Sequence, residues 1–266
     1  MLNWLFGKKN SDRLPMYSAL RSVPSRGLPA ELMEAERSED FAARRAALTQ
    51  ELLEPPRRPA DGSPLLTTFF NSRQNGFVTI TPPNGQKQCL AVFSTSVRAA
   101  DYLQTLLGSD PTLNHWASTP AQFIKILRDL GEVGIEKFAL DRCPRCPIFS
   151  VLDSSGIKTS GDVMTVWAIH KSGELARADL YLGYALGAAR KGFLQTARDV
   201  ALETVGHVTI DDDNAHFLLG QVAVGMRDQV LLREAKAFLR FFNFDRLEKQ
   251  LDRNVKSGTP DFGGST

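Results

Sequence analysis

The fold is most clearly indicated by two stretches, Tyr181-Leu-Gly-Tyr-Ala-Leu-Gly-Ala-Ala-Arg190 and Leu218-Leu-Gly-Gln-Val-Ala-Val-Gly-Met-Arg227. They share one pattern of small and large apolar residues, and each leads into a second amphipathic segment. Stacked helical hairpins bury a seam that neither hairpin could bury alone, leave a concave surface for a partner and need no catalytic residue. The repeat therefore favours an interaction protein over an enzyme.

The spacing of apolar residues predicts two helical hairpins and a closing helix. The hairpins pair residues 174–191 with 193–206 and residues 214–227 with 229–242, and the closing helix covers 244–251. Gly183 and Gly220 each follow a leucine. Because glycine has no side chain, both positions predict close contact between helices.

The hairpins resemble tetratricopeptide repeats. Leu182-Gly183 with Gly192 and Ala197, and Leu219-Gly220 with Ala235, stand where that family has its Leu-Gly, Gly and Ala positions. The second Leu-Gly pair follows the first by 37 residues, against a family period of about 34. No proline closes either unit, so a plain helical bundle stays open as an alternative. The resemblance implies a peptide on the concave face.

A further helix is predicted before the hairpins. Thr159-Ser-Gly-Asp162 can form a capping box, in which the threonine and aspartate side chains bond to free backbone amides. His170 then shares a helix face with Val163, Val166 and Trp167. We interpret His170 as a histidine satisfied at a helix interface, and we expect Gly173 to end the helix.

Between residues 65 and 141 the apolar pattern alternates, which predicts strands. The strand candidates are residues 65–70, 77–80, 88–93 and 135–141. Ser94-Thr-Ser96 predicts the start of one helix, and Thr119-Pro-Ala-Gln122 predicts a capping box at the start of another. This region is therefore expected to form a small α/β or α+β layer.

The same region resembles the N-terminal domain of the SseB-like family. The resemblance is carried by Cys89-Leu-Ala-Val-Phe-Ser-Thr-Ser-Val-Arg-Ala-Ala-Asp-Tyr102 and by Gly134-Ile-Glu-Lys-Phe-Ala-Leu-Asp141. It implies a compact α/β accessory module without established catalytic residues. The motif at residues 141–146 departs from the family pattern, so no functional residue carries over.

The sequence predicts an α+β protein with four parts. A helix broken near Ser38 covers residues 30–54, and four prolines within 54–64 predict a linker. We expect an N-terminal helical segment and Pro-rich linker (1–64), a small α/β-type sheet domain (65–153), an all-α helical-hairpin domain, tetratricopeptide-like or a bundle (154–254), and a disordered tail (255–266).

The composition of the chain restricts which compartment and which classes of partner are expected. The 266 residues carry a formal net charge of +2, which provides no overall field for nucleic acid. Three cysteines are too few for a secreted disulfide framework and indicate a reducing, cytoplasmic compartment. Residues 1–9 do not have the pattern of a signal peptide. Trp4, Lys8 and Lys9 leave membrane contact through this segment open.

Cys143-Pro-Arg-Cys146 is the most specific chemical motif in the sequence. Two thiols at this spacing can form a reactive disulfide or bind zinc, and the motif resembles the Cys-Pro-aromatic-Cys site of glutaredoxins. The following residues have an extended pattern, whereas those redox sites open a helix. A zinc site needs further ligands, for which the chain offers Cys89, His115, His170, His207 and His216.

We therefore expect a non-catalytic cytoplasmic interaction or accessory protein that docks a protein partner through its C-terminal hairpins and needs no cofactor. The alternative is a thiol-redox or zinc-dependent enzyme with Cys143 and Cys146 as metal or redox residues. The partner-binding residues are not identified by the sequence.

Overall fold

The computed structural model of the chain describes residues 14–22, 28–55, 57–60, 62–81, 87–107, 112–141 and 151–263. A mixed sheet is followed by a helical region, so the predicted α+β class is confirmed. The chain divides into two compact units. We call Met1–Ser38 with Arg177–Thr266 the helical unit and Glu39–Ala176 the sheet unit. These units divide the chain after residues 38 and 176, whereas the sequence predicted domain limits after residues 64 and 153.

The described part of the sheet unit contains seven strands: β1 (Leu66–Asn71), β2 (Gly76–Phe77), β3 (Thr79–Ile80), β4 (Cys89–Phe93), β5 (Leu113–Ser118), β6 (Lys137–Leu140) and β7 (Val151–Asp153). Their order is β2-β1-β4-β6-β7, with β3 paired to β4 and β5 paired to β1. Among these described strands, only β4 and β6 pair in parallel, with Leu90 opposite Phe138 and Val92 opposite Leu140. Strand β5 was not predicted.

Ten helices lie in the described residues: α1 (Ala19–Ser22), α2 (Ala30–Ala35), α3 (Glu39–Leu53), α4 (Ser96–Tyr102), α5 (Pro120–Glu132), α6 (Ser160–Arg190), α7 (Leu194–Glu203), α8 (Asp213–Met226), α9 (Gln229–Phe241) and α10 (Asp245–Ser257). The predicted break near Ser38 separates α2 from α3. A π-helical segment follows α4 at Leu103–Leu107, and another follows α7 at Thr204–Val208.

Both faces of the sheet are buried. Because side chains alternate along a strand, Leu90 and Val92 of β4 point to one face and Ala91 and Phe93 to the other. The first face packs with apolar residues of α5 and the start of α6, among them Phe123, Leu127, Val163 and Met164. The second face packs with Ala99 and Tyr102 of α4. The predicted caps are present: Thr95 accepts from the Arg98 amide, and Thr119 and Gln122 form a capping box.

The expectation that Gly173 ends a helix is wrong, because α6 continues from Ser160 to Arg190. A glycine inside a helix costs only about 1 kcal/mol relative to alanine, and tertiary contacts surround this one. Ser172 is fully buried and its hydroxyl lies 2.7 Å from that of Thr49. The Arg45 side chain lies 3.5 Å from where a Cβ of Gly173 would be. The predicted capping box at Thr159 and Asp162 is present at the start of the helix.

Helix α8 is the centre of the helical unit. It packs against α7, α9 and α10, and its buried residues occupy most of its circumference, namely Ala215, His216, Leu218, Leu219, Gly220, Gln221, Val222 and Ala223. Leu194 at the start of α7 lies against Gly225 near the end of α8, so these helices are antiparallel. Helical hairpins thus build the C-terminal region, as predicted.

The last residues are better ordered than predicted. Helix α10 extends to Ser257, where Gly258 adopts the left-handed conformation (φ +67°) that commonly ends helices. Beyond it, the Asp261 amide donates to Gln221 Oε1 at 3.0 Å, and Arg190 Nε donates to the Phe262 carbonyl at 3.0 Å. Residues 258–263 therefore pack on the helical unit instead of forming a disordered tail.

The two Leu-Gly pairs differ in packing, which provides a test of the helical unit. A Cβ at Gly220 would lie 2.5 Å from Leu251 Cδ2, a fully buried side chain, whereas a Cβ at Gly183 would have no neighbour within 4 Å. We expect Gly220→Ala to lower the free energy of unfolding by about 1–3 kcal/mol through overpacking. Gly183→Ala should raise it by up to about 1 kcal/mol. Urea unfolding followed by circular dichroism measures both; equal effects would contradict this packing.

Candidate functional site

The cysteines proposed from the sequence, Cys143 and Cys146, lie outside the described residues, as do residues 1–9. Their metal, redox and membrane roles therefore stay predictions. Cys89 is buried at the start of β4, where its Sγ lies 3.6 Å from the Ile80 carbonyl. Asp141 follows β6 directly, at the opposite end of the parallel β4–β6 pair. Cys89 is thus remote from the strand end that precedes Cys143.

The four histidines are divided between the two units. His115 and His170 belong to the sheet unit, whereas His207 and His216 belong to the helical unit. His207 Nε2 lies 3.8 Å from Glu203 Oε2. His216 is fully buried and bonds to Tyr17 and to the Ile210 carbonyl. His170 belongs to a group of charged residues that sequence reasoning had not brought together.

We call Ser94, Arg98, Asp141, His170 and Glu174 the charge cluster. Asp141 Oδ1 accepts from the Ser94 amide at 2.7 Å, and its Oδ2 accepts from the Ser94 hydroxyl and lies 2.9 Å from His170 Nε2. Arg98 Nη2 lies 2.8 Å from Glu174 Oε1, which is 3.3 Å from His170 Nε2. Both carboxylates are therefore held by cationic side chains.

The fold explains how these residues meet. Ser94 and Asp141 each follow one of the two parallel strands, and carboxyl ends of parallel strands meet at one edge of a sheet. Arg98 lies on the first turn of α4, which begins at the same edge. His170 and Glu174 are four residues apart on α6 and so share a helix face. Asp141 adopts a left-handed backbone conformation (φ +50°), which is uncommon for residues other than glycine.

The charges of the cluster stabilise one another. Burial alone would raise the pKa of Asp141, but the Arg98 charge, His170 and the Ser94 hydrogen bond lower it to about 2. Burial alone would lower the pKa of His170, but its bonds to Asp141 and Glu174 raise it to about 9. At neutral pH, His170 is therefore an imidazolium between two carboxylates.

The chemistry of the cluster opposes its use as a metal centre. Asp141, His170 and Glu174 each offer one ligand atom, and these atoms lie within 4.8 Å of one another. A cation here would have to replace the proton on His170, since metals bind the neutral imidazole. It would also sit beside the Arg98 guanidinium. The cluster therefore acts as a set of ion pairs that ties β4, β6, α4 and α6 together.

His170→Gln tests this interpretation, because glutamine retains an N–H donor but no charge. The native His170 holds a proton between pH 6.5 and 9 that the unfolded chain has lost, so the stabilisation from this proton is complete below pH 6.5. It is lost as pH rises to about 9, by up to roughly 1.4 kcal/mol per pH unit.

We expect this slope in the wild type and not in His170→Gln. Urea unfolding at several pH values, followed by tryptophan fluorescence, measures it; Trp116 and Trp167 both belong to the sheet unit. His207→Gln is the matched histidine control. An identical slope in His170→Gln would contradict the charged state.

The helical unit contains a second candidate site, formed where the chain's own residues 14–22 pack on its helices. We call residues 14–22 the anchor segment. Leu14 and Tyr17 are 4% and 1% exposed, which is deep burial for a segment whose regular structure is one helical turn. We call the surface beneath Tyr17, Ser18 and Leu20 the seat; it is formed by Gly206, His216, Glu234 and Phe238.

Tyr17 is the centre of this contact. Its ring stacks on Phe238 at a centroid distance of 4.8 Å and on His216 at 5.8 Å, with interplanar angles of 16° and 18°. His216 and Phe238 stack on each other at 4.3 Å. The Tyr17 hydroxyl lies 2.8 Å from His216 Nδ1. The seat therefore holds a tyrosine by both its ring and its hydroxyl.

The tautomer of His216 follows from its partners. The Ile210 carbonyl can only accept, so Nε2 carries the proton and donates to it at 2.7 Å. Burial lowers the pKa of His216 to about 4, so the ring is neutral at pH 7. Nδ1 is then an acceptor, and the Tyr17 hydroxyl must donate to it.

Two further contacts flank Tyr17. The Ser18 amide donates to Glu234 Oε1 at 3.0 Å. Leu20 packs over Gly206, where a Cβ would lie only 3.0 Å from Leu20 Cδ2. Gly206 lies in the π-helical segment Thr204–Val208, and such segments occur frequently at functional sites. The seat thus contacts both a main-chain group and side chains of the anchor segment.

Sequence analysis did not identify this site. The one signal in the chain is the spacing of Leu14, Tyr17 and Leu20, which recur every three residues. These three residues span too short a segment to indicate a long amphipathic helix, and Pro15 lies within that segment. The partners on α8 and α9 lie about 200 residues away in the chain.

Tyr17→Phe should destabilise the helical unit, because it leaves Nδ1 of the buried His216 without a hydrogen bond. We expect a loss of about 1–3 kcal/mol in the free energy of unfolding. Urea unfolding followed by circular dichroism at 222 nm gives this value. Tyr184→Phe, at a half-buried tyrosine of the same unit, is the control and should change little. A loss no larger than that of the control would show that the bond contributes nothing.

Comparison with known proteins finds no protein-family model, no curated protein and no solved structure that matches this chain. The tetratricopeptide-like and SseB-like resemblances therefore stay predictions. In the described residues, the helices lack a segment both long enough and apolar enough to cross a membrane.

Proposed function

We propose that this chain is a non-catalytic cytoplasmic interaction protein whose helical unit docks a segment of a partner protein. The observation that carries the proposal is the seat. It holds a mostly non-helical stretch of polypeptide through a stacked tyrosine, a hydroxyl-to-imidazole hydrogen bond and a bond from a backbone amide to Glu234. Peptide recognition commonly combines main-chain hydrogen bonds with pockets for particular side chains.

The row of side chains along α9 supports the same proposal. Val230, Glu234 and Phe238 recur every four residues and so follow one line on the helix surface. Phe238 contacts Tyr17 and Glu234 contacts Ser18, whereas Val230 is 46% exposed. The line therefore continues past the anchor segment to an exposed apolar residue, where a longer peptide would extend.

The charge cluster supports a non-catalytic role for the sheet unit. Its carboxylates and its imidazolium are bonded to one another, and general acid–base catalysis needs a group with a pKa near the working pH. With pKa values of about 2 and 9, Asp141 and His170 are poorly suited to exchange protons at pH 7. The implied SseB-like accessory role agrees with this interpretation.

Photo-crosslinking maps the docking surface. The amino acid p-benzoylphenylalanine is placed in the full chain at Val230 of the helical unit, or at Trp116 or Val133 of the sheet unit, all of which are exposed apolar positions. After irradiation in native cytosol, we expect a discrete protein adduct from position 230 and none from positions 116 and 133. Adducts from the sheet unit alone, or from no position, would contradict docking on the helical unit.

A further inference from the structure

We propose that the seat recognises an unphosphorylated tyrosine flanked by leucines, in the pattern Leu-x-x-Tyr-x-x-Leu, and that the anchor segment is an internal ligand which a partner peptide of this chemistry displaces. The proposal rests on the proposed function and specifies its ligand. Its starting point is that the chain itself shows which peptide the seat accepts.

The tyrosine is selected by the tautomer of His216. Nε2 donates to Ile210, so Nδ1 presents a lone pair at the base of the seat, 2.8 Å from the ligand hydroxyl. A phenylalanine leaves this buried acceptor unpaired, and sites built to bond a hydroxyl strongly reject analogues that lack it. The rings of His216 and Phe238 at the same time require a flat aromatic side chain.

Phosphotyrosine is excluded by charge. A phosphate carries between about −1.5 and −2 charges at pH 7, and it would replace a hydroxyl beside a neutral, fully buried imidazole. Burial raises the pKa of the Tyr17 hydroxyl, and the negative charge of nearby Glu234 raises it further. The seat therefore distinguishes the unmodified tyrosine from its phosphorylated form.

The flanking leucines are selected by shape. Leu14 is 4% exposed, and Leu20 fits closely over Gly206, where even a Cβ would lie 3.0 Å from Leu20 Cδ2. Ser18 between them is exposed, and only its backbone amide is used, by Glu234. The requirement is thus for the two leucines and the tyrosine, with variable residues between them.

The anchor segment regulates the seat by competing with an added peptide for it. A ligand in the same chain acts at a millimolar effective concentration, so a free peptide binds only in proportion to the fraction of molecules whose seat is open. A partner carrying a longer peptide that also covers Val230 would gain contacts that the anchor segment lacks. Weakening the anchor segment should therefore increase binding of an added peptide.

The test uses the full chain and a fluorescent peptide with the sequence of residues 14–22. We expect Tyr17→Ala to bind this peptide at least tenfold more tightly than the wild type, as measured by fluorescence anisotropy. The Tyr17→Ala chain should bind the same peptide with phenylalanine at the tyrosine position at least tenfold more weakly, and the phosphotyrosine peptide not measurably. In Tyr17→Ala/His216→Ala, the preference for tyrosine over phenylalanine should disappear.

The same variants remain informative if Tyr17→Ala loses helical structure. In that case the added tyrosine peptide should restore the circular dichroism signal and raise the melting temperature, because a ligand of the native state stabilises it. Absence of both binding and restoration would overturn the proposal, as would equal affinity for the tyrosine and phenylalanine peptides.

The outcomes also separate this proposal from the proposed function. A photo-adduct at position 230 without peptide binding would leave docking on the helical unit intact and reject the tyrosine motif. Peptide binding without an adduct would show that the seat exchanges ligands and would reject a partner on this surface.

Discussion

The helical unit depends on one constraint, which is that α8 is apolar around most of its circumference and must be covered. Three helices pack against it, but two hairpins and a closing helix do not enclose a central helix completely. The anchor segment covers His216 near one end of α8, and residues 260–261 cover Gly225 and Gln221 near the other. Burying the remaining surface of this helix is what draws the anchor segment and residues 260–261 onto it.

This arrangement differs from an extended repeat array. In a long solenoid, neighbouring repeats cover each hydrophobic face and terminal repeats are capped by polar surfaces. Here the described residues contain two hairpins, and the anchor segment occupies a surface that a longer array would leave to a partner. The bond between Tyr17 and His216 adds specificity to that coverage, since a purely apolar contact would accept many side chains.

The sheet unit depends on a different kind of interaction. Its two cores are apolar, and the carboxyl ends of its parallel strands are held by the charge cluster. Removing one partner of such a buried set leaves an uncompensated charge, which costs more than the set contributes when complete. Asp141, in its left-handed conformation, is contacted by Ser94, Arg98 and His170.

Local patterns in the sequence were sufficient for the fold class, for strands β4 and β6, for most helix starts and for the helical hairpins. These features depend on periodicity and capping, which act over a few residues. They were insufficient for β5, where Asn114 and His115 weaken the strand pattern, and for α6, where contacts in the sheet unit outweigh the glycine at position 173.

The candidate sites could not be read from local patterns at all. The charge cluster joins residues 94, 98, 141, 170 and 174, and the seat joins residues 206, 216, 234 and 238 around Tyr17 of the anchor segment. Each set converges only after strands and helices have packed. The sequence alone determined most of the helices and strands, because those choices depend mainly on neighbours in the chain. Only the tertiary structure decided that His170 is charged and His216 neutral, because burial and distant partners set those pKa values.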